Sequence, residues 1–224
     1  MSTALLRRLG AETLGSALLA AIVVGSGIAA QRLSPSDTGL QLLENALATA
    51  LGLPVLILVF APVSGAHFNP VVSLVDSALG LRSWRETALY IPARIIGCIA
   101  GAVLADLMFG VPAVSWSTTE RLTPSHFLAE VVATAGLILV IFALARTQRA
   151  ALTPVAVGAY IGAAYFFTSS TSFANPAITI GRMFSDTFAG IAPGSAPGFI
   201  AAQVVGARVG YLLVRWLFPV RREA

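Results

Sequence analysis

Charged side chains are scarce in this sequence of 224 residues, of which 11% are charged and 57% are hydrophobic. An average soluble domain is about 25% charged, so this chain has too few charges to cover a water-exposed surface. Disorder is excluded as well, because disordered chains are polar and charged. The composition therefore predicts an integral membrane protein.

Lysine is absent, so all 14 basic residues are arginine, and the net charge is +4. The arginines are scattered between apolar runs, which is typical of a membrane protein and not of a nucleic-acid-binding protein. Cys98 is the only cysteine, which excludes an intrachain disulfide. With only His67 and His126 beside it, the sequence predicts no metal site and no cofactor.

Long apolar runs recur along the chain. A helix needs about 20 apolar residues to cross the hydrocarbon layer, and the alternating pattern of a membrane β-barrel is missing. The sequence predicts six transmembrane helices, at about 9–31, 39–60, 87–109, 125–145, 150–168 and 197–218.

The arginines are distributed unevenly over the predicted loops. Arg32, Arg121 and Arg182 fall on one side, and Arg94 and Arg208 fall within spans. The other side receives the remaining nine, which are Arg7, Arg8, Arg82, Arg85, Arg146, Arg149, Arg215, Arg221 and Arg222. Because basic residues accumulate on the cytoplasmic side, this bias predicts that both termini are cytoplasmic.

Two apolar stretches, 45–75 and 150–181, do not fit simple spans, and each contains an Asn-Pro pair. The pairs are Asn69-Pro70-Val71 and Asn175-Pro176-Ala177. Asparagine at the N-cap followed by proline at the first helical position is a strong helix start. We therefore expect two re-entrant half-helices, at about 69–80 and 175–184, of the kind found in transport proteins built from inverted repeats.

The two halves of the chain resemble each other. Glu12 and Glu130 are 118 residues apart, Asn69 and Asn175 are 106 apart, and the segments around Arg94 and Gln203 align at an offset of 109. Similar offsets for three features predict a duplication within a single domain of residues 1–224, with repeats of about 1–110 and 120–224. Three spans per half is an odd number, so the halves must insert with opposite orientation.

These motifs resemble those of the aquaporin and glycerol-facilitator (major intrinsic protein) family. The resemblance rests on residues 64–70 and 172–177, on Glu12 and Glu130, and on Pro92-Ala93 with Gly97, and it covers nearly the whole chain. It implies an all-α membrane channel with six transmembrane helices and two half-helices, passing small uncharged solutes, and a homotetramer in the lipid bilayer. Residues 168–191 resemble bacterial aquaporins linked to arsenic resistance, which implies a bacterial inner membrane.

The sequence departs from the family pattern at the motifs. Val71 replaces the alanine of the first motif, Ile178 stands where an arginine usually follows the second, and Thr179 stands where glycerol facilitators carry aspartate. Carried over by spacing, the family's selectivity filter comprises Thr49, Ser172, Ile178 and either Ala163 or Tyr165. Such a filter has no charge, and it implies passage of water and of bulkier solutes such as glycerol, urea or neutral trivalent arsenic species.

Arg182 follows Ile178 by four residues and so lies about 6 Å farther outward on the same helical face. We expect it to line the outer vestibule without closing the filter.

The motifs also predict how solutes are selected. The amides of Asn69 and Asn175 offer N–H donors, and the positive ends of the half-helix dipoles oppose cations, including hydronium. The re-entrant geometry and the family resemblance imply backbone acceptors, namely the carbonyl groups of Gly65, Ala66, His67, Phe68, Ser172, Phe173 and Ala174. The His67 side chain either lines the pore or packs inside the protein.

Glu12 and Glu130 are carboxyl groups near the starts of spans. Their duplicated placement favours structural acceptors that hold the re-entrant loops. The alternative is a proton-coupled secondary transporter that uses both glutamates together with Arg94. Arg94 and Arg208 are either counter-ions of these glutamates or interfacial residues, and the pairs Gly97, Gly101 and Gly206, Gly210 predict close helix packing.

Overall fold

A computed structural model describes residues 2–219, and within them all regular structure is helical. Arg221 and Arg222 lie outside the described residues, so their predicted position stays a prediction. Eight α-helices follow one another as α1 (Thr3–Leu33), α2 (Thr38–Ser64), α3 (Pro70–Ala78), α4 (Trp84–Met108), α5 (Pro124–Arg146), α6 (Thr153–Phe167), α7 (Pro176–Gly181) and α8 (Ala196–Leu217).

Six of these helices are long and apolar enough to cross a membrane, which confirms the number of predicted spans. The fifth of these spans is α6, which reaches this length only together with the 3-10 turn Ala150–Leu152 that precedes it. The first helix begins at Thr3, six residues earlier than expected from the apolar run. Its extension contains Arg7 and Arg8, and Arg8 forms an ion pair of 3.0 Å with Glu86 at the start of α4.

Glycines let the long helices pack closely, in the same way in both halves. In α4, Gly97 and Gly101 face the backbone of α1, where a β-carbon would overlap the carbonyl groups of Thr13 and Ala17. In α8, a β-carbon on Gly206 would lie 2.5 Å from the carbonyl oxygen of Val131, and Gly210 meets Ala135 in α5. The pairs α1–α4 and α5–α8 therefore approach backbone to backbone, as the spacing of these glycines predicts.

The short helices α3 and α7 are inserted between the long ones, and each packs on both halves. Helix α3 contacts α4 in its own half and α8 in the other half. Helix α7 likewise contacts α8 in its own half and α4 in the other half. The second half-helix, predicted at 175–184, is shorter than expected. Its α-helical part, α7, ends at Gly181, and Arg182–Phe184 form a 3-10 turn. The first ends at Ala78, two residues before the expected end.

Candidate solute pore

The starts of α3 and α7 meet through two reciprocal hydrogen bonds. The side-chain amide of Asn69 donates to the carbonyl oxygen of Ala174 over 2.7 Å, and that of Asn175 donates to the carbonyl oxygen of Phe68 over 2.9 Å. Each asparagine also caps its own helix, since its Oδ1 accepts from the backbone N–H two residues on. An amide has two N–H donors, so one per asparagine remains for a solute.

The chain before each asparagine adopts the same unusual backbone in both halves. The backbone φ angles are positive at the residues four, three and one positions before each asparagine. Before Asn69 they are 91°, 49° and 49°, and before Asn175 they are 61°, 51° and 47°. Only Gly65 among these six residues is a glycine; the others are Ala66, Phe68, Thr171, Ser172 and Ala174. A left-handed conformation costs about 1–2 kcal/mol for each non-glycine residue, so other contacts must hold these loops.

Glu12 supplies such contacts to the first loop. Its carboxylate, fully buried, accepts hydrogen bonds from the hydroxyl of Ser64 (2.6 Å) and from the backbone N–H groups of His67 (3.2 Å) and Phe68 (3.0 Å). Arg94 completes the set with a Nε–Oε2 distance of 2.6 Å and also donates to the carbonyl oxygen of Asn69. Arg94 is therefore placed as a counter-ion and not at an interface.

Glu130 holds the second loop in the same way, but within residues 2–219 no cation is paired with its carboxylate. It accepts from the hydroxyl of Ser170 (2.7 Å) and from the backbone N–H groups of Phe173 (2.8 Å) and Ala174 (2.9 Å). The fourth donor is the amide of Gln203, at 2.7 Å. The two halves thus share geometry and differ in charge, because Gln203 stands where the first half has Arg94.

A cavity of about 160 Å³ runs past the junction of the two loops. One wall is formed by residues 65–69 and 172–175, which include both asparagines and the backbone acceptors predicted from the sequence. The opposite wall is aliphatic, with two residues from each of α1, α2, α5 and α6: Leu19, Val23, Leu53, Ile57, Leu137, Ile141, Val157 and Ile161.

The predicted filter residues Thr49, Tyr165, Ser172 and Ile178 all line this cavity. The hydroxyl groups of Thr49 and Tyr165 are 3.1 Å apart, although the residues are 116 positions apart in the chain. Ala163 is exposed on the outer surface of α6 and does not line the cavity, so that alternative is corrected. A helix turns about 100° per residue, and two residues are therefore enough to reverse the face.

Arg182 also differs from its predicted position. It is 3% exposed and lines the same cavity as the filter residues, instead of projecting into an open vestibule. Its guanidinium lies 3.4 Å from the ring centroid of Phe173, and its Nε donates to the carbonyl oxygen of Ala189. Because the α-helix ends at Gly181, the side chain folds against the wall. The wall is therefore charged even though the four predicted filter residues are not.

A second arginine faces the same ring from outside the cavity. The guanidinium of Arg121 lies 5.5 Å from the ring centroid of Phe173 and donates to the carbonyl oxygens of Phe188 and Gly190. Burial lowers the pKa of Arg121 from its ordinary value. Arginine stays protonated at neutral pH, so two cations lie within 5.5 Å of the centre of the Phe173 ring.

His67 lines the cavity, and its ring is also held by neighbours. Its Nδ1 is 2.7 Å from the hydroxyl of Ser73, and its Nε2 is 3.8 Å from a carboxylate oxygen of Asp76. The His67 side chain therefore lines the cavity and is also packed against neighbouring polar groups, so both predicted alternatives apply in part.

Three residues that hold the loops were not predicted in this role from the sequence: Ser64, Ser170 and Gln203. Both serines stand five positions before the asparagine of their half, and each accepts from the backbone N–H two residues on. The shared spacing was a readable signal. The role of Gln203 was not readable, because the aligned position in the first half holds Arg94.

Comparison with known proteins agrees with this architecture. The chain is 48% identical over 218 residues to the aquaglyceroporin AqpS of Rhizobium meliloti, covering 97% of this chain and 93% of that protein. It is 31% identical over 197 residues to the glycerol uptake facilitator protein of Bacillus subtilis, covering 79% and 70%. The crystal structure of the aquaglyceroporin from Plasmodium falciparum superposes with a TM-score of 0.74 at 21% identity, covering 94% and 95%.

The sequence also matches the Major intrinsic protein family over residues 1–174. This match spans the first half, the connection between the halves, and the second loop up to Ala174. Together with the relative at 48% identity, it shows that the chain belongs to the major intrinsic protein family of membrane channels and is not an enzyme.

Proposed function

We propose that this protein is a passive channel that passes water and bulkier neutral solutes, such as glycerol, urea or neutral trivalent arsenic species, across a bacterial inner membrane. Both termini are cytoplasmic in this proposal, and each protomer of a homotetramer holds its own pore. The observation that carries it is one cavity lined by Asn69 and Asn175 together with Thr49, Tyr165, Ser172 and Ile178.

The two walls of the cavity suit small neutral solutes that are partly polar. Carbonyl groups and the asparagine amides replace the hydrogen bonds that a solute loses when it leaves water. The aliphatic wall opposite offers no hydrogen bonds and accepts the apolar face of a polyol. Such a passage favours molecules with hydroxyl or amide groups along one edge.

Cations meet positive potential at two places. The N-termini of α3 and α7 meet at Asn69 and Asn175, and each helix end carries about half a positive elementary charge. Arg182 adds a full positive charge to the wall. Among the described residues that line the cavity there is no carboxylate, so a cation finds no compensating ligand there.

The side chains at the filter support passage of solutes larger than water. Ile178 has no guanidinium at the position where the family pattern has arginine, and the guanidinium of Arg182 lies against the ring of Phe173. Two of the relatives are named an aquaglyceroporin and a glycerol uptake facilitator, which agrees with passage of glycerol.

The alternative of a proton-coupled transporter receives no support from the cavity. Glu12 and Glu130 are fully buried, and neither lines the cavity. All four carboxylate oxygens accept hydrogen bonds from the loops or from Arg94 and Gln203. A proton carrier needs access to the solute path, which these groups lack.

Swelling and shrinkage of proteoliposomes tests the proposal. Wild-type protein is compared with Ile178→Arg for water, glycerol, urea and arsenous acid, measured by stopped-flow light scattering with and without a proton gradient. We expect the wild type to pass all four solutes independently of the gradient. Ile178→Arg narrows the filter, so flux of the larger solutes falls much more than water flux.

Ile178→Leu, which keeps the volume and the apolar character, is the matched control and retains the wild-type ratio of glycerol to water permeability. A wild type that passes water only contradicts the wide filter, as does an unchanged ratio in Ile178→Arg. Uptake that requires a proton gradient contradicts the passive channel.

A further inference from the structure

Arg208 lies halfway along α8 and is exposed on its outer surface. Within residues 2–219 its guanidinium has no hydrogen bond, no carboxylate partner and no aromatic ring against it. It does not pair with Glu130, whose partners are Ser170, Gln203 and the backbone. The helix is one of the six membrane spans, so a cation is placed on a surface that faces the membrane.

The side chain cannot reach water by itself. Trp216, 76% exposed, marks the membrane interface at the end of α8. Eight residues separate it from Arg208, which is about 12 Å along the helix axis and more than the length of an extended arginine side chain. The guanidinium stays protonated and is costly in hydrocarbon, so it requires an anion that reaches into the membrane.

The described membrane-spanning helices of a second copy of this chain offer no free carboxylate. Glu12, Asp106 and Glu130 are almost fully buried inside the protomer. Glu86 is paired with Arg8, and the oxygen of Glu44 that has no hydrogen bond is buried. Within the described spans, a neighbouring protomer therefore has no carboxylate for Arg208, and we look for the anion outside the protein.

The same face of α8 carries a second arginine nearer the interface. Arg215 follows Arg208 by seven residues, which is two helical turns, and it donates to the hydroxyl of Tyr211 over 3.0 Å. This hydrogen bond points the Arg215 guanidinium back along the helix towards Arg208. Among exposed aliphatic side chains of α8, Leu212 lies between the two arginines along the helix, and Val204 and Val205 lie one turn beyond Arg208 towards the membrane centre.

We propose that this face of α8 is a binding site for an anionic phospholipid. The phosphate lies between Arg208 and Arg215, because guanidinium groups bind phosphate oxygens in pairs of hydrogen bonds. The acyl chains pack along Val204, Val205 and Leu212. The site belongs to the leaflet on the side of the two termini, and it is separate from the pore.

Lipid retention by the purified protein tests this site. Wild type, Arg208→Gln and Arg7→Gln are titrated with phosphatidylglycerol or phosphatidylcholine, and bound lipid is counted by native mass spectrometry. We expect wild type to retain phosphatidylglycerol in preference to phosphatidylcholine. Loss of one charge-assisted pair weakens binding by about tenfold, so Arg208→Gln loses the preference.

Arg7→Gln is the matched control, because it removes one exposed arginine from α1, which packs on α2 and α4, and it keeps the preference. Arg208→Leu checks folding, since it removes the charge and should be as stable as wild type in detergent without lipid. Equal retention of both lipids by wild type overturns the proposal, as does a preference that survives Arg208→Gln. Dissociation of the oligomer in Arg208→Leu also overturns it, because the partner is then protein.

Discussion

Single side chains decide the width and the charge of this pore. Tyr165 and Thr49 both line the cavity, and their hydroxyl groups lie within hydrogen-bond distance of each other, 3.1 Å apart. Arg182 brings a cation to the wall, where it lies against the ring of Phe173 and donates to the carbonyl oxygen of Ala189. In the proposed filter, Tyr165 and Ile178 limit the free space, and Arg182, one turn beyond Ile178, supplies the charge.

Truncation of Tyr165 should widen the filter. Tyr165→Ala removes an aromatic ring from the lining of the cavity, so we expect the ratio of glycerol to water permeability to rise in the liposome assay. Tyr165→Phe removes only the hydroxyl and keeps the volume, and it should leave the ratio close to that of wild type. If Tyr165→Ala lowers glycerol flux in a folded protein, the ring does not limit the passage.

Neutralising Glu12 should destabilise the protein more than neutralising Arg94, its partner in the buried ion pair. Glu12→Gln leaves Arg94 as a buried charge without its partner, and removing one member of a buried pair costs about 3–5 kcal/mol. Arg94→Gln leaves the carboxylate of Glu12 with Ser64, two backbone donors and a new amide, which is the set that Glu130 already has. We therefore expect Arg94→Gln to be the milder change in thermal unfolding.

A matched measurement comes from the other half. Glu130→Gln removes one hydrogen-bond acceptor, but the fourth donor there, Gln203, is neutral, so no buried charge is left unpaired. We therefore expect Glu130→Gln to lower the melting temperature less than Glu12→Gln does. In both cases flux should persist in protein that folds, because neither carboxylate lines the cavity. Loss of flux from a fully folded Glu130→Gln channel would assign these groups to transport instead.

The long helices are positioned by contacts in which one helix contributes a glycine, which has no side chain. Gly97 and Gly101 admit the backbone of α1 to α4, and Gly206 and Gly210 admit α5 to α8. These pairs set how far the long helices stand apart, and hence the space into which α3 and α7 fit.

A methyl group at this contact should be poorly tolerated. Gly101→Ala overlaps the carbonyl group of Ala17, and overpacking of this kind costs about 1–3 kcal/mol. Gly10 lies in α1, and a β-carbon there has no atom within 4 Å. Gly10→Ala should be neutral or slightly stabilising, because alanine favours a helix. Equal melting temperatures for both variants would show that the α1–α4 distance adapts.

At the scale of the whole molecule, the proposed exclusion of cations depends on both halves. The positive ends of α3 and α7 meet where each asparagine donates to the loop of the other half. Neither half alone brings two helix N-termini to one point.

Asn175→Asp should open the channel to cations. Aspartate still caps α7, but it cannot donate to the carbonyl of Phe68, and its negative charge offsets the two half-charges of the helix ends. We expect a proton leak, measured with a pH-sensitive dye in liposomes, that is missing in wild type. Asn175→Gln, which adds no charge, is the control; an equal leak from both variants would assign exclusion to packing and not to charge.

The sequence by itself determined the architecture. Apolar length gave the six spans, the Asn-Pro pairs marked the starts of α3 and α7 within one residue, and the repeated glycines predicted the close helix pairs. These features are local, or they repeat at a fixed offset, so they can be read without knowing which helices touch. The duplicated glutamates were visible for the same reason.

Only the tertiary structure decided which side chains reach the pore. Spacing left Ala163 and Tyr165 open because counting back from Asn175 reaches the first and counting on from Pro154 and Gly158 reaches the second. It placed Arg182 outward because it assumed that α7 continues as an α-helix. The fold ends that helix at Gly181 and turns Arg182 onto Phe173. It also gave Glu12 a cation and Glu130 an amide, and left Arg208 facing the membrane, because these contacts depend on which helices become neighbours.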